Sequence, residues 1–178
     1  MRSQADPALA GEVQRAMDRA VAYLRGFQKE DGSWQGFWGV NFVYGTLFAI
    51  HGLLDAGVSS SDPAVQRARR WLVEHQLADG GWGETARSCE TMVYEAAERS
   101  QVVQTAWALE ALLLAGETDP KVLGPAVALM TSRQRPDGSW DLEDVEGVFF
   151  NTSALQYCLY RAHFTLRALA LADGAGAV

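Results

Sequence analysis

A seven-residue phrase occurs three times in this chain: Gln28-Lys-Glu-Asp-Gly-Ser-Trp34, Gln76-Leu-Ala-Asp-Gly-Gly-Trp82 and Gln134-Arg-Pro-Asp-Gly-Ser-Trp140. Each copy follows a stretch with helical spacing. An internal period of this length marks stacked supersecondary units, each burying its apolar face on the next. The phrase has a physical reading of its own. Asp-Gly makes a tight turn, because glycine accepts positive φ without steric cost. The glutamine amide can donate to and accept from backbone groups left over at a helix end. The tryptophan covers that polar contact and can spend its indole N–H on a neighbouring turn. The phrase therefore reads as a staple between repeats. Asp31, Asp79 and Asp137 belong to turns and are not catalytic acids.

Six helices are expected between the turns, with little strand-like alternation. The first covers 7–27, with Leu9, Val13, Ala16, Met17, Ala20 and Leu24 at helical spacing. The second covers about 41–56 and is apolar nearly all round. The third starts at Asp62-Pro63, an N-cap followed by proline at the first helical position, and runs to His75. The fourth covers about 100–115. The fifth starts at Asp119-Pro120 with the same cap and ends near Arg133. The sixth is expected from Asn151 to Ala172. Helices one, three and five carry charge on one face and belong outside. Helices two, four and six have little polar surface and belong inside. Three outer–inner pairs make an all-α fold, a partial α/α toroid of about three hairpins in a single domain over residues 1–178, with flexible ends at 1–7 and 173–178.

The formal net charge of −7 argues against a nucleic-acid partner, which wants a basic face. Cys89 and Cys158 stand far apart and read as buried free thiols, which fits a reducing cytosol. No run of 18 apolar residues occurs, so no membrane span is expected, while monotopic attachment stays open. His51, His75 and His163 have no ligand spacing, so no metal is expected.

The repeated phrases resemble the Gln–Trp motifs of the squalene–hopene and oxidosqualene cyclases. The text between them agrees: Trp38-Gly-Val-Asn-Phe-Val-Tyr-Gly-Thr46, Gly80-Gly-Trp-Gly-Glu84, Ser88-Cys-Glu90 and Ser100-Gln-Val-Val-Gln-Thr-Ala-Trp-Ala-Leu109 follow in the family's order. Gly147-Val-Phe149, Tyr157 and Tyr160-Arg161 match its C-terminal segment. The resemblance covers about 16–170, and only the C-terminal part of such a cyclase. It implies an apolar isoprenoid or polyene partner and no cofactor. The family's initiating acid lies in an Asp-Cys-Thr-Ala or Asp-x-Asp-Asp-Thr-Ala motif, and neither occurs here. Asp141-Leu-Glu-Asp144 is a superficial mimic in an expected surface loop.

Polyene cyclisation makes carbocations in a dry cavity, where a carboxylate would trap them and an aromatic face would not. By resemblance, Trp38 matches a cavity-wall tryptophan and Phe149 a cation-stabilising phenylalanine. Tyr157 and Tyr160 match cavity tyrosines, one of which can sit near the terminal deprotonation, and they are expected on one face of helix six. Phe42 and Tyr44 are neighbouring candidates. The alternative, that all six are core aromatics, stays open. Glu110 stands in Trp107-Ala-Leu-Glu-Ala-Leu-Leu, where the family is apolar. A carboxyl in apolar surroundings can donate a proton, which makes Glu110 the candidate replacement acid. The alternative is a carboxylate that pairs at an interface.

Three hairpins leave the inner helices with an open apolar flank, which needs a second copy or a partner half-barrel to cover it. Three functions follow: a small cyclase or isomerase acting on an isoprenoid or polyene; a non-catalytic lipid- or isoprenoid-binding module, or a half-barrel that complements a separate N-terminal half; and a truncation without activity.

Overall fold

The computed structural model describes residues 6–150 and 152–177. Asp6 caps α1 (Pro7–Phe27), accepting from the Ala8 N–H at 2.9 Å. The aspartate–proline grammar starts α3 (Pro63–Glu74) and α6 (Pro120–Ser132) in the same way, with Asp62 and Asp119 accepting from Ala64 and Lys121. The inner helices are α2 (Asn41–Asp55), α5 (Val102–Leu114) and α7 (Tyr160–Gly174). Central α5 packs between α2 and α7 and is almost wholly buried. Behind them, α3 bridges α2 and α5, and α6 bridges α5 and α7. The arrangement is the expected partial α/α toroid.

The three Gln–Trp phrases repeat one set of contacts. Trp34, Trp82 and Trp140 each donate Nε1–H to the carbonyl ten residues earlier, in the preceding outer helix: Leu24 at 2.7 Å, Leu72 at 2.8 Å and Met130 at 2.8 Å. Gln28, Gln76 and Gln134 each donate to the glycine carbonyl of their own turn. Those turns are tight because Gly32, Gly80 and Gly138 sit at φ of +100°, +90° and +85°. Gln28 also reaches the Ala64 carbonyl and Gln76 the Val122 carbonyl, both in the first turn of the next outer helix. Gln134 makes no such second contact among the described residues.

A second link between repeats involves carboxylates. Glu84, two residues past Trp82, is fully buried and accepts from the N–H groups of Asn41, Phe42 and Val43 at 2.9–3.1 Å, capping α2. Glu143, three past Trp140, accepts from the Val102 N–H at 2.5 Å and caps α5. Helices α2 and α5 are thus each capped by the following repeat, and among the described residues no side chain caps α7.

Several expectations need correction. The sixth helix begins at Tyr160, not Asn151, a residue outside those described. The segment before it forms a hairpin of β2 (Gly147–Phe149) and β3 (Ser153–Leu155), and β2 pairs antiparallel with β1 (Trp38–Gly39). Gly147 and Val148 find backbone partners in Gly39 and Trp38 of β1, and Phe149 in Ser153 of β3, which a helix could not use. A short helix, α4 (Arg87–Thr91), lies in the stretch expected as loop, with Cys89 buried against Val40 and Val148. Cys158 is exposed rather than buried. Helix α1 lies outside as expected but buries no residue: Leu24 and Val21 touch the core, while Leu9 and Val13 are exposed. The expected flexible ends fall partly on residues 1–5 and 178, outside the described residues, and the remainder includes the start of α1 and the close of α7. No helix among the described residues is long and apolar enough to cross a membrane.

Candidate functional site

The side chains at positions one, five and eight of a helical stretch share a face. On α2 these are Tyr44, Phe48 and His51; on α7 they are Tyr160, Phe164 and Arg167. Between them, α5 presents Trp107 and Glu110, three apart. The three inner helices therefore build a layered surface. Its first layer is tyrosine: Tyr44 lies against the Trp107 ring at 5.1 Å, and Tyr157 stacks on Tyr160 at 4.5 Å with an interplanar angle of 22°. Its second layer is Phe48, Trp107 and Phe164, with Phe48–Phe164 centroids at 6.4 Å and Trp107–Phe164 at 5.6 Å, both edge-to-face. Tyr160 joins the layers, edge-on to Trp107 at 6.0 Å and to Phe164 at 5.1 Å. Trp107 is wholly buried as the floor, whereas Phe48 is 46% exposed.

The small sheet closes the tyrosine end. Gly39 pairs with Gly147, and a Cβ on either would strike a tyrosine ring: Tyr44 at 2.3 Å and Tyr157 at 2.9 Å. The absence of side chains there lets the two rings lie on the sheet. Side chains alternate along a strand, and Val148 is buried with Val40 and Cys89 on the opposite face. Phe149 therefore shares the face of Gly147, and Trp38 stacks on it at 4.9 Å. Trp38 is 47% exposed and takes a left-handed φ of 84°.

The structure thus brings Tyr44, Tyr157 and Tyr160 together, while Trp38 and Phe149 stack on each other at the sheet. Tyr157 precedes α7 rather than lying on it, and its ring reaches Tyr160 from the connecting turn. Phe42 is elsewhere, 1% exposed in the core and edge-on to Tyr94. Burial, and the neighbouring Tyr44 and Tyr157 phenols after it, pushes the Tyr160 hydroxyl up to about 12. Burial likewise raises Tyr44. Both keep their protons at neutral pH.

The surroundings of Glu110 are not apolar, which corrects the premise for its role as an acid. Its side chain is 1% exposed, and its Oε1 lies 2.5 Å from His51 Nε2 and 2.6 Å from Arg167 Nε. Carboxylate, imidazole and guanidinium come from three different inner helices and form the third layer. Asp141, Leu142, Glu143 and Asp144 are in an exposed loop, as expected.

Sequence reasoning missed Glu146. It is buried beside β2, one carboxyl oxygen has no hydrogen-bond partner, and Arg161 Nε stands at 3.8 Å. Burial raises its pKa, and Arg161 works against that. Its adjacency to Gly147 was the available signal.

Two clefts flank this surface. A groove of about 540 Å³ runs between α1 and α2, lined by Tyr23, Phe27, Phe37, Tyr44 and Phe48. A larger one, about 670 Å³, lies at the N-terminus of α5 and is polar. Its Arg133 is already engaged with Asp79 and Glu143.

Comparison with known proteins agrees with the repeat architecture. The family model of the squalene–hopene cyclase C-terminal domain matches residues 8–173. A lanosterol synthase of Aspergillus fumigatus is 41% identical over 91% of this chain and 22% of its own length. A squalene–hopene cyclase of Bradyrhizobium diazoefficiens is 42% identical over 84% of this chain and 23% of its own. The chain spans less than a quarter of these relatives. Among solved structures, the type II terpene cyclase MstE of Scytonema, in complex with merosterolic acid A, superposes with a TM-score of 0.68 at 20% identity, covering 91% of this chain and 50% of that one. That likeness is one of fold.

Proposed function

The chain belongs to the squalene–hopene cyclase C-terminal domain family, and we propose on that basis that it supplies one aromatic wall of a site that binds an isoprenoid or polyene and promotes its cyclisation or isomerisation. The observation that supports this is the layered contact of Tyr44, Phe48, Trp107, Tyr160 and Phe164 along three adjacent inner helices. Ring faces carry negative potential without nucleophilicity, and each desolvated contact with a cation is worth about 2 kcal/mol. Trp38, Phe149 and Tyr157 extend the wall at the sheet. A protonated Tyr160 serves through its ring and as an O–H donor. Phe42 is assigned to the core. Glu110, held by His51 and Arg167, ties the inner helices together and does not initiate the reaction.

Phe149→Ala and Tyr157→Ala are expected to weaken binding of an isoprenoid alcohol such as farnesol about tenfold each, with thermal midpoints shifted only slightly. Calorimetric titration and thermal melts check both. Loss of stability with unchanged affinity would return these rings to the core.

The wall is open, and this favours a second component. Phe48, at the surface of the wall, is 46% exposed. We infer that the chain works as a homodimer or with a partner half-barrel. Purified chain is expected to scatter light as a dimer at low micromolar concentration and to leave squalene and oxidosqualene unconverted, since the initiating aspartate motif is absent from its sequence. A compact monomer would contradict the assembly, and a hopene or sterol product would contradict the need for another source of acid.

A further inference from the structure

The charged layer at the end of the aromatic wall has more donors than acceptors. His51 Nε2 is 2.5 Å from Glu110 Oε1 and 3.2 Å from Arg167 Nη2. Opposite an ionised Glu110, an unprotonated Nε2 would set two acceptors against each other at 2.5 Å, so Nε2–H is assigned as the donor of a hydrogen bond to the carboxylate. The contact with Arg167 is then between two donors. Arg167 spends only its Nε edge on Glu110, and its side chain is 46% exposed. Its terminal N–H groups have no carboxylate partner among the described residues. His51 is 21% exposed beside it. The buried second oxygen of Glu110 has no partner among the described residues either, so the trio is not a closed network there. These N–H groups stand at the end of the stripe Phe48–Phe164, with the Phe48 and His51 rings 6.4 Å apart.

We propose that this layer binds the oxyanion headgroup of an isoprenoid whose chain lies along the aromatic wall. This rests on the isoprenoid reading above and names the substrate class within it: an amphiphile ending in a carboxylate or phosphate, rather than a plain hydrocarbon. Arg167 supplies the paired N–H donors that fit such a group, and Glu110 fixes Arg167 from behind. From the charged layer to the tyrosine layer is seven residues, about 10 Å along a helix, so a short prenyl chain reaches Tyr160.

The test is a calorimetric titration of the full chain with farnesyl phosphate, farnesoic acid, farnesol and squalene. Either or both oxyanions are expected to bind at least about tenfold more tightly than farnesol. Which one binds more tightly identifies the source of the headgroup. Arg167→Gln should abolish that preference, while Arg167→Lys should keep part of it. The comparison among ligands needs no variant, so it stands even if Arg167→Gln does not fold. Binding of farnesol and squalene as tight as that of the oxyanions would overturn the headgroup site and leave the aromatic wall intact. Failure of all four to bind would overturn both.

Discussion

Trp82→Ala is expected to destabilise the chain by about 3–5 kcal/mol, the range for truncating a large buried aromatic. Trp82 has no exposed surface, and its indole N–H is the buried link to the Leu72 carbonyl at 2.8 Å. The substitution removes both the packing and the donor, so the carbonyl is stranded as the cavity opens. Trp82 is also the most deeply buried of the three repeat tryptophans, at 0% exposure against 3% for Trp34 and 7% for Trp140. Its turn glycine, Gly80, sits so close to Pro125 of α6 that a Cβ would come within 2.4 Å. Denaturant unfolding measures the loss. An unchanged midpoint would mean that the repeated phrase does not hold the repeats together.

Glu84→Ala is expected to cost about 2–4 kcal/mol, because it strips a buried cap from the first turn of α2 and leaves several N–H groups without an acceptor. Asn41, Phe42 and Val43 all donate to this one carboxylate across more than forty residues of sequence. Glu84→Gln keeps an acceptor oxygen and should lose less than half as much. Equal losses for the two variants would show that packing, not capping, gives Glu84 its value. Hydrogen exchange supplies a local readout: the first-turn amides of α2 should lose protection before those of α5.

What could be read in the sequence follows the range of the interactions. The helices α3 and α6 were legible because their starts are written locally, as an aspartate followed by proline, and α1 because its apolar residues recur at helical spacing. The turns were legible because Asp-Gly needs nothing beyond itself. The start of α7 was not, since Gly147–Phe149 becomes strand by pairing with Trp38 and Gly39, over a hundred positions away, and Ser153–Leu155 by pairing back on it. The carboxylate caps were hidden for the same reason: Glu84 and Glu143 look like loop acids until the preceding repeat is placed beside them. The aromatic wall was half visible. Tyr157, Tyr160, Trp38 and Phe149 entered through family resemblance, while Phe48 and Phe164 passed as ordinary apolar positions. Their spacing from Tyr44 and Tyr160, repeated as His51 and Arg167, was the local sign that two helices present matching stripes. Glu110 was noticed as a charge out of place, but its partners lie on other helices, and only the fold assembles the trio.

If the face that α2, α5 and α7 share around Trp107 is a wall that holds an isoprenoid, a bound probe must touch all of its layers. Photolabelling tests it most directly, with a benzophenone-tagged farnesyl probe irradiated on the folded chain and the labelled peptides mapped by mass spectrometry. Labels are expected on the segments containing Tyr44 and Phe48 and those containing Tyr160 and Phe164, suppressed by excess farnesol. Labels confined to the exposed stripe of α1 around Leu9 and Val13, or none that farnesol displaces, would contradict such a wall.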